Sequence, residues 1–133
     1  MKKILLISLF LMLSGCVLID AYRMARFDNI EYMLINTVRT QANLGAAKCG
    51  TPEVVTVVDN IWFKTVELRN YSESIPNNKE AVKMTQELSE IVKGLSVRYH
   101  GTESVSLTYC TTKFSNIEKN ATIIQNVIGA KPR

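Results

Sequence analysis

Ser72-Glu73-Ser74-Ile75-Pro76-Asn77-Asn78, followed by Ala81, Met84, Leu88, Ile91, Leu95 and Arg98-Tyr99, decides the fold of this chain. The first seven residues are polar apart from Ile75 and Pro76, and a proline has no place in a helix interior or a central strand, so they form a loop. Asn77 or Asn78 can accept from the first free amides of a helix, and Glu80 suits its positive end. The apolar residues that follow recur at alternating steps of three and four, the spacing of one helix face. Gly101 is placed to end that helix.

Reading outward from this segment gives three more helices. Towards the C-terminus, Cys110, Phe114, Ile117, Ala121, Ile124 and Ile128 keep the same spacing for more than two heptads, and Gly129 and Pro132 close it. Val105-Ser106-Leu107-Thr108-Tyr109 alternates and is compatible with a short strand, although the start of the fourth helix is the preferred reading. Towards the N-terminus, Thr51-Pro52-Glu53 is a helix start: a capping hydroxyl, a proline at the first helical position and an acid in the first turn. The second helix then runs to about Tyr71 on a stripe of Val54, Val58, Ile61 and Val66, with Val55 and Trp62 alongside. Its valines also suit a strand, but its length favours a helix. The first helix is expected over 20–48, with Phe27, Ile30, Leu34, Val38 and Ala42 inward and Ile35 beside them. Arg26, Glu31, Arg39 and Gln41 fall elsewhere, and Gly50 supplies the stop. The expected fold is therefore all-α, an antiparallel four-helix bundle joined by short connections.

The first sixteen residues are of a different kind. Lys2-Lys3 precede a greasy run, Ile4-Leu5-Leu6-Ile7-Ser8-Leu9-Phe10-Leu11-Met12, and then Leu13-Ser14-Gly15-Cys16. A charged start, an apolar stretch of this length and small residues before a cut make a signal peptide. The apolar run to Ile19 spans 16 residues, short of the roughly 20 a membrane-spanning helix needs, and Gly15 and Cys16 interrupt it. The tetrapeptide Leu13-Ser14-Gly15-Cys16 resembles the lipobox of bacterial lipoproteins. That resemblance implies a diacylglycerol on the Cys16 sulfur, cleavage of the Gly15-Cys16 bond and an acyl group such as palmitate on the new amine. Residues 1–15 would then be the cleaved signal helix, 16–19 a lipidated tether and 20–133 the bundle, held at the membrane by lipid. In enteric-type lipoproteins an Asp after the lipidated cysteine retains the protein at the inner membrane. Val17 stands there in this chain, which implies the outer membrane, facing the periplasm.

Processing changes how the remaining composition reads. Removing 15 of 133 residues leaves 118, one domain's worth. With Lys2 and Lys3 gone, 16 basic residues become 14 against 12 acidic ones, a net charge of +2 with no basic block. Nucleic-acid binding has no support in that pattern. Of three cysteines, Cys16 is taken by lipid, and an oxidising compartment favours a Cys49–Cys110 disulfide over two buried free thiols. The bundle topology agrees, because the end of the first helix and the start of the fourth share a pole. Two cysteines at that separation and one histidine, His100, supply no closely spaced metal-ligand set, and no cofactor is implied.

Catalysis finds little in the sequence. His100 stands at a helix end where an imidazole commonly meets terminal carbonyls. No Gly-x-Ser-x-Gly turn or glycine-rich phosphate loop is present, and Glu87 and Glu90 lie one turn apart opposite the third apolar stripe. The expected protein is not an enzyme. Phe63 and Tyr109 lie beside the apolar stripes and are candidate recognition groups. With little linker after Cys16, Arg23 and Arg26 can reach anionic headgroups, and the pole with Ile75-Pro76 and Lys131-Pro132-Arg133 faces the membrane. The disulfide pole then faces outward, and Lys48, His100, Glu103 and Tyr109 are the candidate contacts for an unidentified envelope or periplasmic protein.

The run Tyr109-Cys110-Thr111-Thr112-Lys113-Phe114-Ser115-Asn116 resembles the corresponding stretch of spackle-like phage exclusion proteins, small helical disulfide-bearing lysozyme inhibitors. The likeness covers about a dozen positions and transfers no site residue, and such proteins need no lipobox. It implies exclusion, immunity or inhibition of an envelope-acting protein. The competing reading is a structural or lysis-accessory lipoprotein of the outer-spanin type. Those tend to be extended and proline-rich, whereas this chain has three prolines, two at helix boundaries and one in the tail.

Overall fold

The protein is described by a computed structural model over residues 24–133. The expected signal segment 1–15, the expected lipidation site Cys16, the expected tether 16–19 and Arg23 lie outside the described residues. Four helices form an antiparallel bundle: α1 (Asn29–Gly45), α2 (Val54–Ser74), α3 (Lys79–His100) and α4 (Leu107–Gly129), with a short 3-10 turn (Ala46–Lys48) after α1. Each helix packs on its neighbour in sequence and α4 closes the ring against α1, the α3/α4 seam being the sparsest. No strand occurs among the described residues.

α4 follows the expected pattern. Cys110, Phe114, Ile117, Ala121, Ile124 and Ile128 are all buried. The Val105–Tyr109 run is a helix start: Ser106 Oγ accepts from Tyr109 N at 3.2 Å, satisfying one of the amides a helix leaves free. α1 approaches this helix so closely that a Cβ on Gly45 would stand 2.4 Å from the Phe114 ring. The expected Cys49–Cys110 disulfide joins the two helices at one pole, with Cα atoms 5.8 Å apart.

α1 is shorter than expected, and its inward face is turned. Asp28 stops it on the N-terminal side, its Oδ1 accepting from Glu31 N at 2.9 Å. Phe27 N donates to Pro132 O at 2.8 Å, so that amide is held by the C-terminal tail and not by a helical carbonyl. Ile30, expected inside, is exposed. Glu31, expected on the solvent face, is fully buried with Ile35, Val38 and Ala42. A buried carboxylate persists only when its lone pairs and charge are met, and here they are. Ser72 Oγ and Asn78 Nδ2 donate to Glu31 Oε1 at 2.7 Å each, and Lys131 Nζ reaches Oε2 at 2.5 Å and Asn78 Oδ1 at 2.6 Å.

That network also corrects the reading of the α2–α3 loop. Asn78 occupies the cap position of α3 but makes no side-chain cap bond, since its amide is committed to Glu31, Lys131 and the Ser72 carbonyl. Asn77 adopts a left-handed φ of 61°, suited to the residue after proline in a tight turn. Gly101 ends α3 with an extended φ of −80°, without the left-handed cap a glycine there suggests. α2 begins at Val54, after a turn made by Gly50 at φ 84°, and the Thr51 hydroxyl donates back to Lys48 O at 2.8 Å instead of capping. Its buried face is Val54, Val58, Ile61, Thr65, Leu68 and Ser72, while Val66 is only half-buried. On α3, Ala81, Leu88 and Leu95 are buried as expected and are joined by Val92, whereas Met84, Ile91 and Tyr99 pack at the margin of the core. Glu87 and Glu90 are exposed.

Candidate functional site

Because one helical step is 100°, Trp62 and Phe63 cannot share the core face set by Val58, Ile61 and Thr65. They fall on the flank that meets α3. Asp59, Trp62, Phe63 and Val66, at spacing i, i+3, i+4 and i+7, form one wall of an open cleft of about 460 Å³, and Ser96 and His100 form the other. Phe63 is 66% exposed and Trp62 38%. Apolar groups of this size are normally withdrawn from water, so an open pair beside a cleft is a surface suited to a partner.

The rim of the groove is held by one carboxylate. Ser96 Oγ donates to Asp59 Oδ1 at 2.8 Å, and His100 Nε2 lies 3.0 and 2.9 Å from the two oxygens of Asp59. His100, expected to cap its helix or stand at the surface, is exposed and bridges α3 to α2 through Asp59, not to its own helix's carbonyls. The three residues do not form a nucleophile relay, since that requires the imidazole between hydroxyl and carboxylate. Here the serine proton points at Asp59 directly, and the imidazole does not stand between them. The arrangement orders the groove wall and offers an oriented carboxylate to an incoming cation.

The other expected contacts stand at the same end of the bundle, paired within the chain. Lys48 Nζ meets Glu53 Oε2 at 2.5 Å, and the hydrogen bond and charge of Lys48 hold the Glu53 carboxyl below its ordinary value. Arg98 meets Glu103 at 2.8 Å. The Tyr109 ring lies 5.6 Å from the Arg98 guanidinium and 5.4 Å from the Lys113 ammonium, a cation–π arrangement that fixes the half-buried phenol. Burial, then the neighbouring Tyr109, pushes the Tyr99 phenol above its ordinary value. Of Lys48, His100, Glu103 and Tyr109, His100 alone lines the groove. A smaller cleft of about 340 Å³ runs between Gly50-Thr51 and Glu103–Val105 at the disulfide pole.

Asp59, Val66 and Ser96 were not legible as site residues. The adjacent aromatic pair beside the apolar stripe was the available signal, since Trp62 and Phe63 both follow Ile61, which takes the core position of that turn. Among the described residues no group of His, Cys, Asp or Glu is arranged to hold a metal ion, and no helix is long and apolar enough to cross a membrane. No family model, curated protein or solved structure matches the chain.

Proposed function

We propose that this protein is an envelope lipoprotein, anchored by lipid on Cys16 and facing the periplasm from the outer membrane, that acts by binding another protein through the α2–α3 groove. The observation that carries the reading is the exposed Trp62–Phe63 wall beside a carboxylate held by Ser96 and His100. A linear wall at helical spacing suits an amphipathic helix of the partner. Aliphatic side chains of that helix would lie on Trp62, Phe63 and Val66, and a lysine or arginine would meet Asp59. Exclusion, immunity or inhibition of an envelope-acting protein are the activities such a binder performs. The lipobox resemblance supports the anchor, and Val17 supports the outer membrane.

A photo-cross-linking residue at Val66 of the full-length protein, expressed in a bacterial envelope, tests the binding reading. A discrete adduct is expected, lost on Phe63→Ala and absent when the cross-linker stands at Ser115. Truncating a central aromatic anchor weakens binding by about thirtyfold or more, whereas the exposure of Phe63 keeps the effect on folding within about 0.5 kcal/mol. Adducts that survive Phe63→Ala, or that form equally from Ser115, refute the groove. Labelling with radioactive palmitate, abolished by Cys16→Ser, tests the anchor separately.

A further inference from the structure

We infer that the pole opposite the disulfide is a lipid-contacting face that seats the bundle on an anionic phospholipid surface. The inference rests on the proposed Cys16 anchor for proximity, while its chemistry comes from the pole itself. The start of α1, the α2–α3 loop and the tail after α4 meet there, tied by the Phe27 N to Pro132 O bond and by the Arg133 guanidinium 5.3 Å from the Phe27 ring.

The charges at the two ends of the bundle are disposed differently. At the disulfide pole Lys48 is paired with Glu53 and Arg98 with Glu103. At the opposite pole Arg26, Lys79 and Arg133 are exposed and form no ion pair with a described residue. Of the acids nearby, Glu31 is buried against Lys131 and exposed Glu73 lies 3.7 Å from Arg69, while half-buried Asp28, which accepts from Glu31 N and from the Tyr71 hydroxyl, and exposed Glu80 pair with no basic side chain among the described residues. Arg26 and Arg133 line one cleft of about 540 Å³, whose walls include Met24, Ile75, Pro76 and Pro132. Two guanidinium groups suit phosphate oxygens, and an exposed Met24 beside them suits the apolar layer under the headgroups.

Reach makes this the face that meets the bilayer. Cys16 lies eight residues before Met24, so the lipid is at most about 28 Å away along an extended chain. The disulfide pole is a further ~35 Å along α4, a helix of 23 residues.

The test uses the full-length, lipid-processed protein in vesicles of phosphatidylglycerol and phosphatidylcholine, and in phosphatidylcholine alone. A fluorophore is placed at Ala130→Cys on the proposed seat or at Ser104→Cys on the far pole, and quenched by nitroxide headgroups. In anionic vesicles quenching is expected at position 130 and not at 104. It should fade in neutral vesicles and in the Arg26→Ala/Lys79→Ala/Arg133→Ala variant. Each basic side chain near an anionic surface contributes about fivefold, so the ratio of seated to unseated protein should fall on the order of a hundredfold for all three. Circular dichroism of the variant checks that the fold is intact. Co-sedimentation separates the two readings. Protein that sediments with both vesicle types yet shows no selective quenching at 130 keeps the anchor and overturns the seat. Protein that sediments only with anionic vesicles keeps the seat and overturns the anchor. Protein that sediments with neither overturns both.

Discussion

Replacing Lys131 with methionine should unfold a large part of the stability margin of this domain. Its ammonium is one of the few buried charges in the bundle, 2.5 Å from Glu31 Oε2 and 2.6 Å from Asn78 Oδ1, with side-chain exposures of 6% for Lys131 and 0% for Glu31. Methionine matches the stem but carries no charge. Glu31 would keep its bonds from Ser72 and Asn78 and lose the one cation that faces it among the described residues, leaving a buried carboxylate uncompensated. Breaking a buried pair from one side costs about 3–5 kcal/mol, against a total of about 5–15 kcal/mol for a domain. With a urea slope of about 1–3 kcal/mol per molar, the midpoint should move down by roughly 1 M or more.

The decisive measurement is a double-mutant cycle followed by circular dichroism in urea. Glu31→Gln alone should cost several kcal/mol, because its amide would place a donor against the Lys131 ammonium. Glu31→Gln with Lys131→Met removes both charges and frees Asn78 Oδ1 to accept from the new amide. The double variant should therefore be more stable than the sum of the singles by about 2 kcal/mol or more. A loss below about 1 kcal/mol for Lys131→Met would refute the reasoning, as would strict additivity.

Two further outcomes concern the α1–α4 contact. Gly45→Ala puts a methyl 2.4 Å from Phe114 Cε1, so urea unfolding should show a loss of about 1–3 kcal/mol from overpacking, relieved in part by Phe114→Leu. Cys49→Ala/Cys110→Ala should lower stability by about 4 kcal/mol, the chain-entropy value for a cross-link spanning 61 residues, and reduction of the native protein should reproduce it; a loss below about 1 kcal/mol would place the bridge's contribution elsewhere.

How far the sequence could be read follows from where its polar groups sit. α4 was legible at its six expected core positions, each apolar and each buried, whereas Gln125, buried beside them and bonded to Arg39 and Asn36, gave no hydropathy signal. α1 was not, because hydropathy places a glutamate outside. The residues that make Glu31 acceptable inside lie 41, 47 and 100 positions away, and no local pattern connects them. The same holds at the groove. Asp59 meets Ser96 and His100 across separations of 37 and 41, so what reads as a surface aspartate, a helix serine and a terminal histidine becomes one rim only when α2 and α3 pack. Thr51 and Asn78 show the reverse effect. Each carries a strong capping signal, and each side chain is drawn to a tertiary or turn partner that satisfies it better.

The two ends of α1 are fastened to α4 by different chemistries, and the difference bears on how anchor and groove are connected. At one pole the disulfide ties the end of α1 to the start of α4. At the other, Glu31 and Lys131 tie the start of α1 to the tail after α4. The α1–α4 pair is thus a closed frame. The groove lies on the other pair, α2 and α3, whose seam with α4 is the sparsest in the bundle. Ser72 and Asn78 come from the junction of that second pair and bind the same carboxylate that Lys131 does. An apolar cluster could fill the space as well, but it would not dictate which donor meets which acceptor. The buried ion pair therefore joins the groove-bearing helices to the α1–α4 frame through partners whose donor and acceptor roles are fixed.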